Sequence, residues 1–171
     1  MFDLLDMSDP GGFEGGFSLK VRPHAARFFR FDAERRLERT LYEAETAYLA
    51  AYQELHEPEK LVTAFPVEVQ GASGGVVVRL VGKGEGNDLV WKDVMTMRGG
   101  RRTLAFGYSS QTAGHFFVQI DNGERHRVDV GSTGGAFSEA RLEVDLSTGL
   151  HSIRISSPDA IVPDIDAMRI R

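Results

Sequence analysis

The stretch His115–Val130 reads HFFVQIDNGERHRVDV and holds two strand-like runs separated by a turn. The turn, Asp121-Asn122-Gly123, is the strongest short hairpin signal in the chain. Asn-Gly favours the tight turns whose twist matches that of two paired antiparallel strands. The sequence therefore predicts a hairpin made of the runs His115–Asp121 and Glu124–Val130.

Comparable short runs with turn signals between them extend on both sides of this hairpin. In one of them Leu104, Phe106 and Tyr108 place a bulky side chain at every second position, as in a strand with one buried face. About eight short strands without convincing helices between them predict an all-β fold, an antiparallel β-sandwich or jelly roll. The other predicted strands are Gly75–Leu80, Asp88–Val94, Arg102–Tyr108, Arg141–Leu146, His151–Ser156 and Asp164–Ile170.

The N-terminal region, residues 1 to about 38, has a different sequence pattern from the rest of the chain. A glycine-rich turn precedes two candidate strands, Phe17–Arg22 and Arg27–Phe31, which are separated by Pro23 and predict a short β-hairpin. An isolated hairpin is marginally stable in water. We therefore expect these strands to pack on the sandwich or to pair with a second copy, giving a possible homodimer through the N-terminal strands.

The segment Asp32–Leu55 has a helical pattern. Its apolar and aromatic residues fall at spacings of three, four or seven: Leu37, Leu41, Tyr48, Tyr52 and Leu55. By itself this spacing predicts an amphipathic helix capped by Asp32.

Composition limits the classes of partner. The net charge of −5 argues against nucleic acid, and no segment approaches the length of a membrane span. The absence of cysteine excludes disulfides and thiolate metal sites. The first ten residues lack the features of a signal peptide, so an exported parent protein would carry its signal upstream.

Two carboxylate pairs are the main candidates for chemistry: Glu43 with Glu45, and Asp164 with Asp166. On strands, residues two apart point to the same side, so neighbouring first and last strands would bring up to four carboxylates together. Such an oxygen-rich set suits calcium. The alternatives are two solvated strand faces or, less well supported, the acid and base of a glycosidase.

Aromatic side chains could stack on sugar rings, and the candidates are Trp91, Tyr108, Tyr52 and Tyr48. Each has the alternative of packing in the core, and Trp91 and Tyr108 alternate with apolar residues, Leu89 and Phe106, as core positions do. The five histidines are dispersed and no nucleophile motif is present, so we expect no catalytic residue.

The two ends of the region 41–171 resemble those of carbohydrate-binding modules of families 6 and 35. Tyr42-Glu43-Ala44-Glu45 opens the region and Pro163-Asp164-Ile165-Asp166-Ala167-Met168 closes it. Weaker marks follow in the family order, among them Asn87-Asp88-Leu89-Val90-Trp91 and Gly149-Leu150-His151-Ser152-Ile153.

The N-terminal piece Ser18–Phe31 is similar to the last strands of the β-domain that follows the catalytic barrel in glycoside hydrolase family 27 α-galactosidases. The resemblance divides the chain into residues 1–38, a remnant hairpin and linker, and residues 39–171, the sandwich. The barrel and its catalytic aspartates are absent from this sequence, so the chain is not expected to be an enzyme.

The resemblance implies a galactose-binding-like jelly roll with a structural calcium held by Glu43, Glu45 and Asp166. It also requires Tyr42–Glu45 to be a strand, which replaces the helix there and leaves Ala47–Leu55 ambiguous. Sugar contacts would fall to Asp164, where the families often have asparagine, with Tyr108 and Trp91.

The implied function is a non-catalytic module that binds galactose-containing or related glycans weakly. The alternative is an accessory domain that stabilises the parent catalytic barrel without binding sugar. The partners are then a glycan or oligosaccharide and the parent catalytic domain, and the parent protein would be secreted or periplasmic.

Overall fold

A computed structural model describes residues 2–9, 11–12, 18–32, 37–51 and 63–171. In this part of the chain the regular structure is short β-strands and two 3-10 turns, Ala44–Thr46 and Ser73–Gly75, with no α-helix. The strands are β1 Phe2–Asp3, β2 Phe29–Arg30, β3 Leu41–Glu43, β4 Tyr48–Leu49, β5 Phe65–Glu68, β6 Val76–Arg79, β7 Leu89–Thr96, β8 Gly100–Ser109, β9 Gly114–Ile120, β10 Arg125–Val130, β11 Phe137–Leu146, β12 Gly149–Ser156 and β13 Asp164–Ile170.

The chain divides into two compact units, Met1–Leu37 and Glu38–Arg171. The larger unit contains two antiparallel sheets. One sheet has the order β11-β8-β13-β6-β5, with β3 also paired to β13, and the other has the order β10-β9-β12-β7-β4. Consecutive strands therefore alternate between sheets in several places, as in a jelly roll, and the predicted all-β antiparallel sandwich is confirmed.

The core lies between the two sheets of the larger unit. Leu104, Phe106 and Tyr108 of β8 are buried, as their alternation predicts. The ring of Phe106 meets Phe116 of β9 edge to face, with 5.6 Å between centroids, and so joins one sheet to the other. Trp91 of β7 also packs against Phe106, with 6.4 Å between the ring centroids.

The eight strands predicted for the sandwich are all present, with ends that differ by at most four residues. The hairpin of β9 and β10 has the predicted turn, closed by a hydrogen bond from Gly123 N–H to the Ile120 carbonyl. The left-handed residue of this turn is Asp121, with φ of 52°, and not a glycine.

The helix predicted over Asp32–Leu55 is wrong for the described residues of that segment. Leu41–Glu43 and Tyr48–Leu49 are strands, and a single 3-10 turn joins them. Tyr42 pairs with Met168 of β13 and Tyr48 with Val90 of β7, so sheet pairing outweighs the local helical spacing. The strand implied by the resemblance is present up to Glu43, while residues 33–36 and 52–55 lie outside the described part.

The predicted N-terminal hairpin is also corrected. Phe17 lies outside the described residues, and Ser18–Arg22 is not a strand. Instead Phe29–Arg30 pairs with Phe2–Asp3. Arg27 forms ion pairs with Asp3 and Asp6, which holds its segment against the start of the chain. No helix among the described residues is long and apolar enough to cross a bilayer.

Candidate functional site

A cleft of about 550 Å³, lined by both polar and apolar residues, opens in the larger unit. It lies where the β8–β9 loop, residues 110–113, meets the β10–β11 loop and the segment Ala160–Asp164 that leads into β13. Arg79, at the end of β6, completes the wall. Loops at one end of a sandwich are a common place for binding sites, because the sheets hold them in position.

Hydrogen bonds fix the two loops of the cleft to one another. Ser110 N–H donates to Thr133 Oγ1 at 3.0 Å, and Thr133 N–H donates to the Ser110 carbonyl at 2.9 Å. Ser132 Oγ donates to the Gln111 carbonyl at 2.8 Å. The wall is therefore ordered before any ligand arrives, which lowers the entropy cost of binding.

The cleft carries groups that suit a hydroxyl-rich ligand. Gln111, Thr112 and His115 line it beside the guanidinium of Arg79. Arg79 Nε donates to Asp164 Oδ2 at 2.9 Å, and both side chains are partly exposed. This pair offers a cation and a carboxylate at one place, and both groups can bond sugar hydroxyls.

The structure separates the three residues predicted to contact sugar. Asp164 lines the cleft. Trp91 and Tyr108 are buried, with 3% and 5% of their surface exposed, and neither lines the cleft. Their rings offer no free face to a sugar, because both lie in the core between the sheets. Trp91 and Tyr108 thus occupy core positions, which was the alternative to sugar contact considered for both residues.

The residues predicted to hold calcium gather around the 3-10 turn Ser73–Gly75. Ser73 N–H donates to Asp166 Oδ1 at 2.7 Å, and Ser73 Oγ donates to Glu43 Oε1 at 2.8 Å. Glu45 Oε1 lies only 2.7 Å from the position that a Cβ on Gly74 would take. Three carboxylates from β3, the following turn and β13 thus border one loop.

Asp164 does not join this cluster, contrary to the expectation of four converging carboxylates. A bulge in the pairing of β13 with β8 falls between Ile165 and Ala167 and interrupts the alternation of side chains there. Asp166 therefore contacts the Ser73 loop, while Asp164 contacts Arg79. Glu43 and Glu45 are likewise related by the 3-10 turn and not by strand alternation.

The electrostatics of the cluster suit a bound cation. Burial raises the pKa of Asp166, and the charge of Glu43 raises it further, against the Ser73 hydrogen bond and Arg169. Glu43 Oε2 and Glu45 Oε2 are buried and accept no hydrogen bond from any described residue. Buried, unpaired carboxylate oxygens are costly unless a cation or donor satisfies them.

The three carboxylates do not by themselves form a ready set of metal ligands. Within the described ranges, no group of three or more His, Asp or Glu side chains has the arrangement of a metal site. The donor chemistry thus fits calcium, but binding would require the side chains around Ser73 to adjust.

Sequence reasoning missed most of the cleft. Arg79 stands at a strand end, and the polar run Ser109-Ser110-Gln111-Thr112 stands between two strands. That run of hydroxyl and amide groups between two predicted strands was the available signal. The contact of Arg79 with Asp164, 85 positions away, has no local signature.

The fold was compared with known proteins. No protein-family model matches the chain, and no curated protein matches it. Solved structures do match. A family 35 carbohydrate-binding module from Clostridium thermocellum is 20% identical with a TM-score of 0.67, over 76% of this chain and 96% of that one.

Two further solved structures have the same fold. A family 35 module from Paenibacillus barcinonensis is 18% identical with a TM-score of 0.58, over 77% of this chain and 98% of that one. An exo-β-1,3-galactanase from Phanerochaete chrysosporium, solved with galactose, is 22% identical with a TM-score of 0.64, over 77% of this chain and 29% of the galactanase. The chain therefore has the β-sandwich fold of family 35 carbohydrate-binding modules.

Proposed function

We propose that this chain is a non-catalytic carbohydrate-binding module that binds a glycan in the cleft beside Arg79 and Asp164. The observation that carries the proposal is the cleft itself: two loops tied together by Ser110 and Thr133 around hydroxyl, amide and ion-pair groups. Its lining includes Phe137 but no tryptophan or tyrosine, so binding rests mainly on hydrogen bonds and is weak, about millimolar for one sugar unit.

Galactose-containing glycans are the proposed ligands. Support comes from the resemblance to modules of families 6 and 35 and from the like fold in a galactanase solved with galactose. We further propose that the parent protein is a family 27 α-galactosidase-like glycoside hydrolase that acts outside the cytoplasm, since Ser18–Phe31 is similar to a segment of such enzymes.

Calcium is proposed as a structural ion at Glu43, Glu45 and Asp166. The supporting observation is that one buried carboxylate oxygen of Glu43 and one of Glu45 accept no hydrogen bond from any described residue. Bound calcium would supply positive charge to these carboxylates and tie β3 to β13 through their side chains.

A second candidate is a structural accessory domain that stabilises the parent catalytic barrel. The burial of Trp91 and Tyr108 favours it, because it leaves the cleft without the tryptophan or tyrosine platform common in sugar sites. In this case the cleft would bind no glycan, whereas calcium binding would be unchanged.

Titration calorimetry of the chain with galactose and with a β-1,3-galactan oligosaccharide, in calcium buffer, tests the first proposal. We expect binding that Gln111→Ala and Arg79→Ala each weaken about tenfold, since each removes a hydrogen-bond donor to the ligand. Gln119→Ala is the matched control, because Gln119 lies at the other end of β9 and outside the cleft lining.

If no sugar binds while calcium still raises the midpoint of unfolding, the accessory domain replaces the binding module. If sugar binds and the cleft variants behave like Gln119→Ala, the ligand site is elsewhere on the module and the cleft proposal is overturned.

A further inference from the structure

A second pocket, of about 340 Å³, lies beside the turn that carries the chain from β3 to β4. It shares no lining residue with the end cleft. Its walls are the side chains of Arg39, Tyr48, Lys92 and Asp93, with Tyr42 and Trp91 at the back. We call it the side pocket.

Tyr48 gives the side pocket an exposed aromatic ring. It is a residue of β4, the edge strand of its sheet, and 51% of its surface is exposed. By contrast, Tyr42 and Trp91 of the same pocket are almost fully buried. An exposed tyrosine next to polar groups is the kind of platform on which a sugar ring packs.

A β-bulge directs two charged side chains at this position. The pairing of β12 with β7 shifts between His151 and Ile153, so that Lys92 and Asp93 stand where regular pairing would have one residue. Both side chains are exposed, and the ammonium of Lys92 lies 3.4 Å from the centroid of the Tyr48 ring.

Among the described residues, no carboxylate forms an ion pair with the cations of the side pocket. Neither Arg39 nor Lys92 forms an ion pair with any residue that the structure describes. Arg39 instead lies over the ring of Tyr42 at 4.6 Å and donates through Nε to the Leu41 carbonyl at 2.6 Å. Two cations and one carboxylate, Asp93, leave the lining with an excess positive charge.

We propose that the side pocket is a second glycan contact that binds an anionic substituent of an acidic sugar, its carboxylate or sulfate, between Arg39 and Lys92. The face of the Tyr48 ring that Lys92 does not cover then packs against the sugar that bears the substituent. This inference rests on the proposed glycan-binding function, and it makes the module one that holds an acidic glycan at two places.

NMR titration of the ¹⁵N-labelled chain separates the two sites. The probes are galactose, galacturonate and galactose 6-sulfate, which share one ring and differ in the anionic group. We expect galacturonate and the sulfate to shift the amide signals of Tyr48, Lys92 and Asp93, while galactose leaves these signals in place. Equal shifts by all three probes, or no shift at these residues, would overturn the inference.

Lys92→Gln should weaken the binding of the acidic probes about tenfold, because it removes a charge-assisted hydrogen bond. Tyr48→Ala should weaken it as well. Arg125→Gln, on the opposite edge of the same sheet, is the matched loss of one positive charge and should have no effect. Equal weakening in Arg125→Gln would indicate a general charge effect and overturn the assignment.

The same titration distinguishes the failure of each proposal. Shifts at Gln111 and Asp164 alone support the end cleft and overturn the side pocket. Shifts at Tyr48 and Lys92 alone support the side pocket and overturn the end cleft. If no probe shifts the amide signals at either site, both proposals are overturned.

Discussion

The indole Nε1 of Trp91 donates a 3.0 Å hydrogen bond to the main-chain carbonyl of Glu43. The same carbonyl accepts a 2.8 Å hydrogen bond from Thr46 Oγ1. The Glu43 carboxylate meanwhile faces the loop at Ser73. The only tryptophan of the chain is therefore joined through one residue to the proposed calcium site, and its emission can report on that site.

Calcium is expected to change the Trp91 emission and to raise the midpoint of unfolding. An ion that binds only the folded state at one hundred times its Kd stabilises that state by about 2.7 kcal/mol. Glu45→Gln should remove most of both responses, while Glu124→Gln, in an exposed turn, should keep them. Fluorescence and thermal unfolding with calcium or chelator provide the measurement. Identical curves in both buffers, with no calcium found by metal analysis, would show that the chain has no calcium site.

Gly74→Ala is expected to lower the free energy of unfolding by about 1 kcal/mol, since a side chain at a φ of 63° is strained. The new methyl group would also lie 2.7 Å from Glu45 Oε1 and displace that carboxylate. Urea unfolding measures the loss in stability. Gly131→Ala is the control, because no atom lies near its Cβ position and its φ is ordinary. An unchanged calcium response in Gly74→Ala would show that Glu45 is not a ligand.

His151 should make stability depend on pH. It is buried, and both ring nitrogens face acceptors: Nδ1 lies 2.9 Å from Asp121 Oδ2 and Nε2 lies 2.8 Å from the Ser147 carbonyl. Burial alone lowers the pKa of His151, but these hydrogen bonds and the Asp121 charge outweigh it and raise that pKa above 6.5. Only the protonated ring can donate at both nitrogens.

The direction in which stability changes with pH follows from the raised pKa of His151 and the lowered pKa of Asp121. A raised histidine pKa stabilises the fold fully below 6.5 and the effect is lost as pH rises through the folded-state pKa. Burial raises the pKa of Asp121, but hydrogen bonds from Ser152 and His151 lower it overall, so its contribution is lost only in acid. Unfolding midpoints between pH 5 and pH 9 should fall more steeply for the natural chain than for His151→Gln. Parallel curves would contradict this role.

Asn87→Ala is expected to lower the free energy of unfolding by about 3 kcal/mol, since it leaves buried main-chain groups without partners. The Asn87 side chain accepts from Ala64 N–H at 2.8 Å and donates to the carbonyls of Leu80 and Gly82 at 2.6 and 2.7 Å. Asn122→Ala, in the exposed hairpin turn, should change stability by less than about 0.5 kcal/mol. Urea unfolding of both variants compares them. Equal losses would show that the buried amide is not structural.

Strand positions were predictable where the pattern was local. The alternation of Leu104, Phe106 and Tyr108 marks a strand, and Asn122-Gly123 marks the hairpin after β9. The helical spacing around Leu37 and Leu41 gave a wrong prediction of a helix. Strands that pair with distant partners need no local periodicity of their own. The match of Tyr42–Glu43 to a family pattern was the better guide there.

The candidate sites were predictable only in part. Glu43, Glu45 and Asp166 were named from the sequence and do border one loop, but Ser73, which donates to two of them, carries no pattern of its own. Trp91 and Tyr108 were ambiguous by sequence, because a ring that alternates with apolar neighbours fits either the core or a binding face.

The sequence by itself determined the all-β architecture, eight strands of the sandwich and the carboxylates near the start and end of that sandwich, Glu43, Glu45, Asp164 and Asp166. These features depend on side-chain alternation and turn residues within a few positions of one another. Only the tertiary structure decided that Asp164 meets Arg79 while Asp166 meets Ser73, and that Lys92 lies over Tyr48. The bulges in β13 and in β7 lie at these residues, and a bulge is set by the register of paired strands, which is a property of the assembled sheets.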